Sequence, residues 1–455
     1  MITSLNPATG EQLASFDAHM PDEVEARLVG AARAQADWRW RPVTERSALL
    51  RRLAELLRTE KLALAALVTA EMGKPIVEAL AEVEKCARNC DYYADAAPGM
   101  LADAPIEAVA GTMLAYEPLG VVLAIMPWNY PLWQVIRFAA PALAAGNGAI
   151  LKHAANVPQS ALALEGLIAA GGFPPGLFTN LFVEPGDVAG LIRDPRVAAV
   201  TLTGSTQVGA IVAAEAGAAL KKQVLELGGS DPFVVLADAD LDRAAAMAVT
   251  ARFTNAGQSC VNAKRFIVES SIADGFVERF AVRAAALRSG DPLDPATTLG
   301  PLARANLRAA LHGQVESSVA AGARLVAGGV LPEGPGFFYP PTLLDRVTPG
   351  MAAFDEETFG PAAAIIRAAD AEEAIELANR TAFGLGASIW TADPGRGLAL
   401  ARRIDAGAVF VNAVVASDPR VPFGGIKRSG YGRELGEHGM KEFTNMKAIH
   451  VAEAA

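Results

Sequence analysis

The chain is predicted to be an α/β protein built on two units of parallel sheet. Three observations carry that prediction. Short apolar runs alternate with helix-like stretches through most of the sequence. The alternation restarts as a second series after Gly228 and Gly229. The chain has 455 residues, too many for one ordinary core.

Taken in order, the first part reads as helical. Leu49, Leu50, Leu53, Leu56 and Leu57 recur at helical spacing between Arg and Glu. From Val121 the pattern changes. Strands are expected at Val121–Met126, Gly148–Leu151, Val197–Leu202 and Val224–Leu227, separated by helices such as Gln159–Ala170 and Val208–Ala219. The second series runs through Pro232–Leu236, a helix from Leu241, Arg265–Val268, Ala363–Ile366, Ala387–Trp390 and Ala408–Val411. Gly290–Pro301 and Leu331–Pro341 are rich in Gly and Pro and read as surface loops. The most apolar stretch, Gly120–Leu151, is broken by Pro127, Pro131 and Pro141, so it reads as strand, loop, helix and strand, with no membrane span.

Composition narrows the function. Hydrophobic residues make up 52% and charged residues 20%, as in soluble globular chains. The formal net charge is −10 with no basic stripe, which argues against a nucleic-acid partner. The three cysteines, Cys86, Cys90 and Cys260, form no secreted disulfide framework. With a polar N-terminus, this places the protein in a reducing compartment, the cytoplasm. Cys86 and Cys90 lie one helical turn apart without a His or Cys partner set, so no metal site is expected.

Three short strings carry chemistry. Cys260 ends Phe253–Cys260 (FTNAGQSC), where Gly257 and Ser259 allow backbone to approach a substrate. Glu226 lies at the end of an apolar run in Leu225–Gly229 (LELGG), where partial desolvation raises a carboxyl pKa toward that of a general base. Asn129 sits in Pro127–Pro131 (PWNYP) and offers a side-chain amide. A soft nucleophile, a base and an oxyanion donor suffice for acyl chemistry through a thioester. None of the five histidines falls in these strings, which disfavours a Cys–His hydrolase. On the nucleotide side, Lys152 follows a strand, and Gly204 and Ser205 form a turn into a helix, where backbone N–H groups suit a phosphate. The G-x-G-x-x-G spacing is absent.

Together with Glu71–Pro75 (EMGKP), Leu202–Ser205 (LTGS), Glu356–Pro361 (EETFGP), Pro422–Gly425 (PFGG) and Ser429–Glu434 (SGYGRE), these strings resemble the aldehyde dehydrogenase family along nearly the whole chain. The resemblance implies three parts. A cofactor domain would take 1–110 and 124–228, a catalytic domain 229–412, and a small β element for oligomerisation 111–123 with 438–455. It implies that Cys260 is the nucleophile, Glu226 the water-activating base and Asn129 the oxyanion amide. It further implies that Lys152 reaches the adenine ribose and that Gly204 and Ser205 hold the pyrophosphate. Glu357 would hold the nicotinamide ribose, Phe359 would lie beside the nicotinamide, and Trp128 and Leu227 would join the cofactor site. A homodimer or homotetramer is expected.

Two departures refine this. Many NAD-preferring members carry Glu three residues after the lysine; here Ala155 stands there, with His153 and Lys152 as neighbouring cations or donors, so either NADP or NAD is expected. Arg137 is the lone charge in an apolar stretch, at the offset from Asn129 where succinate semialdehyde dehydrogenases bind the substrate carboxylate. A structural ion pair is its alternative role. Where some relatives add a second Arg, this chain has Thr254, and Arg420 is expected to compensate. The expected reaction is therefore oxidation of a semialdehyde, foremost succinate semialdehyde. Glutarate semialdehyde, an aliphatic aldehyde and non-redox cysteine acyl transfer are the alternatives.

Overall fold

Val121–Met126 is apolar at every position, a composition suited to a strand covered on both faces. In the computed structural model, which describes residues 1–452, it lies at the centre of a six-stranded sheet. It pairs in parallel with Gly148–His153 on one side and Val197–Thr203 on the other. Phe178–Asn180 extends the first side and Lys222–Glu226 the second, both in parallel. The short strand Gly430–Tyr431 adds an antiparallel edge beside Lys222–Glu226. The strand order reverses between Val121–Met126 and Val197–Thr203. Ligands of open parallel sheets bind beyond the carboxyl ends of the strands at such a reversal. Trp128 and Asn129 follow one of those ends, and Gly204 and Ser205 the other.

The second series forms a seven-stranded sheet. Its order is Arg324–Ala327, Thr342–Asp345, Ala362–Ala368, Ala263–Glu269, Asp231–Val235, Gly386–Trp390 and Ala408–Val411. Every pairing is parallel except that of Arg324–Ala327 with Thr342–Asp345. Phe233, Phe266, Phe276 and Phe280 are fully buried between this sheet and the helix Ser270–Ala285. Each such side chain contributes roughly 1.5–3 kcal/mol of burial.

The N-terminal region is helical from Pro21–Trp38 to Ile76–Met100. In Val43–Thr59 the residues Leu50, Leu53 and Leu57 are buried while Arg51, Arg52 and Glu55 face water. The first part, expected to be helical, opens instead on a hairpin of Ile2–Leu5 and Gln12–Phe16. Cys86 and Cys90 lie on the buried face of Ile76–Met100, where burial pushes both thiols well above their ordinary pKa. Among the described residues no helix is long and apolar enough to cross a membrane.

The expected small β element needs correction at its edges. Thr444–His450, Thr112–Pro118 and Ala104–Pro105 form a three-stranded antiparallel sheet. Ala104 and Pro105, expected with the first segment, pair here. Val121, Val122 and Leu123, expected here, belong to the six-stranded sheet. Their side chains are apolar on both faces, and only a central strand buries both. Residues 453–455 of the expected element lie outside the described residues.

Candidate active site

Cys260 sits at the end of a backbone segment that few sequences tolerate. Asn255, Ala256 and Gly257 are all left-handed, with φ of 55°, 52° and 73°. Two non-glycine residues in that region cost of order 1 kcal/mol each and persist only when held from outside. The holding groups come from several elements. The Asn255 N–H donates to Glu78 Oε2 at 2.7 Å. Asn255 Nδ2 donates to the Asn129 carbonyl at 2.8 Å. Buried Arg252 donates to the carbonyls of Ala263, Gly257 and Thr358, and also to that of Gly360. At Gly257 a Cβ would collide with the Gly360 carbonyl, so glycine is required there. Lys264 Nζ donates to the carbonyls of Ser259 at 3.0 Å and Cys260 at 2.8 Å.

The thiol of Cys260 opens on a cavity of about 240 Å³. Tyr130, Trp133, Val415 and Phe423 form its apolar walls, and Lys85 and Arg137 bring positive charge. Burial pushes the Cys260 thiol up to about 12, against the pull of Lys264 and Arg137. Asn129 is buried, and its Nδ2 donates to the Gln258 carbonyl at 3.0 Å. That bond uses one of the two amide hydrogens and leaves the other for a substrate oxygen.

Glu226 closes its strand, buried, with both carboxylate oxygens lacking a protein partner. It does not line the cavity. Its carboxyl lies near buried Arg137 and Glu434 and half-buried Arg433. Burial pushes its pKa well above the usual range, opposed by Arg137 and reinforced by Glu434. Glu434 is in direct contact with Arg137 Nη2. Two carboxyls thus share one buried guanidinium, and burial raises the pKa of both.

Arg137 therefore has both features weighed for it. It lines the cavity, and it is ion-paired to Glu434 with a further bond to Thr203 Oγ1 at 3.3 Å. Its Nε is buried without a partner. Arg420 is a correction. It is 73% exposed, away from the cavity lining, and its guanidinium grips Asp418 at 2.8 and 2.7 Å. Aspartate two residues before arginine in a tight turn captures that side chain locally. Thr254 does line the cavity.

The nucleotide-side residues gather at the carboxyl ends of the six-stranded sheet. Ser205 caps the helix Thr206–Ala218, its Oγ accepting from the Val208 N–H at 3.3 Å. Gly204 and Ser205 reach solvent, as does Ala155. Val208 and Ile211 expose apolar surface on the first turns of that helix. Lys152 is half-buried, and burial lowers its pKa. Glu357 Oε1 accepts from the Gly229 N–H at 3.0 Å and lies 3.5 Å from Lys264 Nζ. Phe359 meets Trp128 edge to face at 5.8 Å. Leu227 is buried, under Gly209. His153 is a second correction. It is buried, Nε2 lies 2.9 Å from the Pro131 carbonyl, and Nδ1 accepts from the Ala154 N–H. Burial pushes its pKa down to about 4, so it is neutral and offers no cation to a phosphate.

Several site residues were not found in the sequence. Lys85 lines the cavity from the helix Ile76–Met100. Glu82 and Asn89 stand on its buried face with helical spacing to Lys85, and polar residues recurring on an apolar stripe were the available signal. Glu434 lay inside a recognised motif without an assigned role. Lys264 and Arg252 gave no local signal, because their partners are backbone carbonyls of remote segments.

Comparison with known proteins follows the same outline. The model of the aldehyde dehydrogenase family matches residues 1–449. Succinate-semialdehyde dehydrogenase [NADP(+)] 1 of Mycobacterium tuberculosis is 51% identical over 455 residues, covering 99% of this chain and 100% of that protein. The crystal structure of succinic semialdehyde dehydrogenase from Streptococcus pyogenes with NADP+ superposes with a TM-score of 0.97 at 40% identity, covering 99% and 100% of the two chains. Succinate-semialdehyde dehydrogenase from Burkholderia pseudomallei gives a TM-score of 0.95 at 35% identity, covering 99% and 94%. A left-handed loop presenting Cys260, an amide at Asn129, a buried Glu226 and a switch-point crevice thus stand in a chain that, over nearly its full length, belongs to the aldehyde dehydrogenase family.

Proposed function

We propose that the protein oxidises succinate semialdehyde to succinate with NADP. One observation carries the substrate reading: the cavity beside the Cys260 thiol is short, apolar along its walls and cationic at Lys85 and Arg137. That shape suits an aldehyde with a carboxylate a few carbons away. The names of the similar mycobacterial and streptococcal proteins support the same substrate and cofactor.

The chemistry follows from the residues. Cys260 adds through sulfur to the aldehyde carbon, giving a thiohemiacetal. Asn129 Nδ2 and the Cys260 backbone N–H hold the developing oxyanion. NADP, when bound, would supply the hydride acceptor, and Cys260 would keep the acyl group as a thioester. Glu226, once ionised, takes a proton from water, which attacks the thioester. The balance is aldehyde, water and oxidised cofactor to carboxylic acid, reduced cofactor and a proton. Arg137 helps to hold the distal carboxylate.

The donor set fits NADP. Gly204 and Ser205 present an open helix N-terminus, Lys152 supplies a positive side chain, and exposed Ala155 places no carboxylate where a 2′-phosphate would be repelled. Glu357, Phe359, Trp128 and Leu227 would line the nicotinamide side. The free edge of Thr444–His450, with Met446 63% exposed, supports assembly into a homodimer or homotetramer. Three unpaired thiols support a cytoplasmic setting.

Initial rates with succinate semialdehyde and butanal, each with NADP and NAD, test the reading. The expected result is kcat/KM at least about tenfold higher for the charged aldehyde and for NADP, as one charge-assisted contact provides. Equal values for the two aldehydes would remove the substrate assignment.

A further inference from the structure

The two cations of the cavity differ in what they touch. Arg137 is in contact with Glu434, whose carboxylate offsets part of its charge. Lys85 is half-buried on the helix Ile76–Met100. Its Nζ donates to Ser417 Oγ at 2.7 Å and lies 4.2 Å from the centre of the Trp133 ring. Ser417 also lines the cavity. Among the described residues Lys85 has no carboxylate partner. Glu82 is near enough to be felt but is held by Lys74. Asp418 feels Lys85 as well, yet Arg420 holds it by two contacts. Lys85 is therefore a cation without a counter-ion in a largely apolar wall. Burial, followed by repulsion from Arg137, pushes its pKa down to about 8. A carboxylate brought by a ligand would relieve both costs.

We propose that Lys85, with the Ser417 hydroxyl, binds the distal carboxylate of the substrate and supplies the net positive charge of that subsite. The inference rests on the substrate being a short dicarboxylic semialdehyde. The Ser417 oxygen accepts from Lys85, so its own O–H is free to donate to the same carboxylate. Arg420 acts at one remove: it keeps Asp418, the chain's own carboxylate, off Lys85.

The test compares wild type, Lys85→Met and Lys85→Arg, each with succinate semialdehyde and with butanal at saturating NADP. Methionine keeps the length and apolar contacts of the stem and removes only the charge. The expected result for Lys85→Met is a fall of roughly ten- to a hundredfold in kcat/KM for succinate semialdehyde, as loss of a charged hydrogen bond gives. The fall should lie mainly in KM, with butanal affected far less, and Lys85→Arg should keep most of the preference. A wild type without preference for the charged aldehyde overturns the substrate reading, and the inference with it. A wild type with the preference and a Lys85→Met variant that retains it overturns the inference alone. So do equal losses on both aldehydes, which would make Lys85 a structural residue.

Discussion

The thiol of Cys260 is pulled in two directions. Burial raises its pKa; Lys264 and Arg137 lower it; the outcome is about 12. Below its pKa a thiol gains about tenfold in thiolate per pH unit, and the thiolate is the reactive form. Alkylation of the protein alone by iodoacetamide should therefore quicken about tenfold per unit between about pH 7 and 9, without levelling. Cys86 and Cys90 are fully buried and should stay unlabelled, so peptide mass spectrometry reads Cys260 alone. Levelling above about pH 8.5 would mean a thiol as acidic as a free one. Residues proposed to act through their own chemistry could be named from the sequence: Cys260 among turn-forming neighbours, Glu226 at an apolar strand end, Asn129 between two prolines. Remote partners could not be named, as with Ser417 beside Lys85 and Glu434 against Arg137. His153 was misread against a rule the sequence itself supplies. Lys152 and His153 are consecutive in one strand, so their side chains point to opposite faces, and only one of them can face the crevice.

At the scale of elements, the active-site helices are anchored by buried glutamates. Glu82 Oε1 accepts from the N–H groups of Leu132 and Trp133, both at 2.9 Å, and so caps the helix Trp133–Ala144 that carries Arg137. Its other oxygen pairs with buried Lys74, which lies 3.7 Å from the centre of the Tyr130 ring. Glu71 does the same for the helix Pro158–Ala170, accepting from Gln159 N, Ser160 N and Ser160 Oγ. The string EMGKP thus contains two buried charges and a left-handed Gly73 that ends its helix. Replacing Glu82 with Ala leaves Lys74 buried without a counter-ion and the helix start uncapped. Such a loss costs roughly 3–5 kcal/mol, and adding Lys74→Met should recover part of it. Thermal melting of the two variants checks this; a single variant as stable as wild type would show that water already satisfies Lys74. The elements themselves were readable, since Val121–Met126 and its neighbours have the apolar composition of central strands. Their ends were less so. Gly148–His153 and Val197–Thr203 each run past the apolar residues that announced them, because pairing with a neighbour, and not hydropathy, decides where a strand stops.

Over the whole molecule, the proposed reaction draws on residues from both large sheets, of which Cys260 lines the cavity while Asn129 and Glu226 lie outside its lining. Asn129 and Glu226 come from the six-stranded sheet and its loops, while Cys260 precedes a strand of the seven-stranded one. The parallel architecture was visible in the alternation of strands and helices. The joining of distant segments carries no local mark: Gly430–Tyr431 beside Lys222–Glu226 was not expected, and Thr444–His450 beside Thr112–Pro118 was expected from the family resemblance alone. The central claim is that Cys260 becomes acylated and that Glu226 is needed to release the acid. Glu226→Gln tests it most directly, because an amide cannot take a proton from water. The variant is mixed with succinate semialdehyde and NADP, quenched early, and examined by intact and peptide mass spectrometry alongside the absorbance of NADPH. The account predicts about one equivalent of NADPH in a burst and one succinyl group on the peptide containing Cys260, followed by slow turnover. Steady release of acid at the wild-type rate, or reduction of NADP with no acyl group on Cys260, would contradict it.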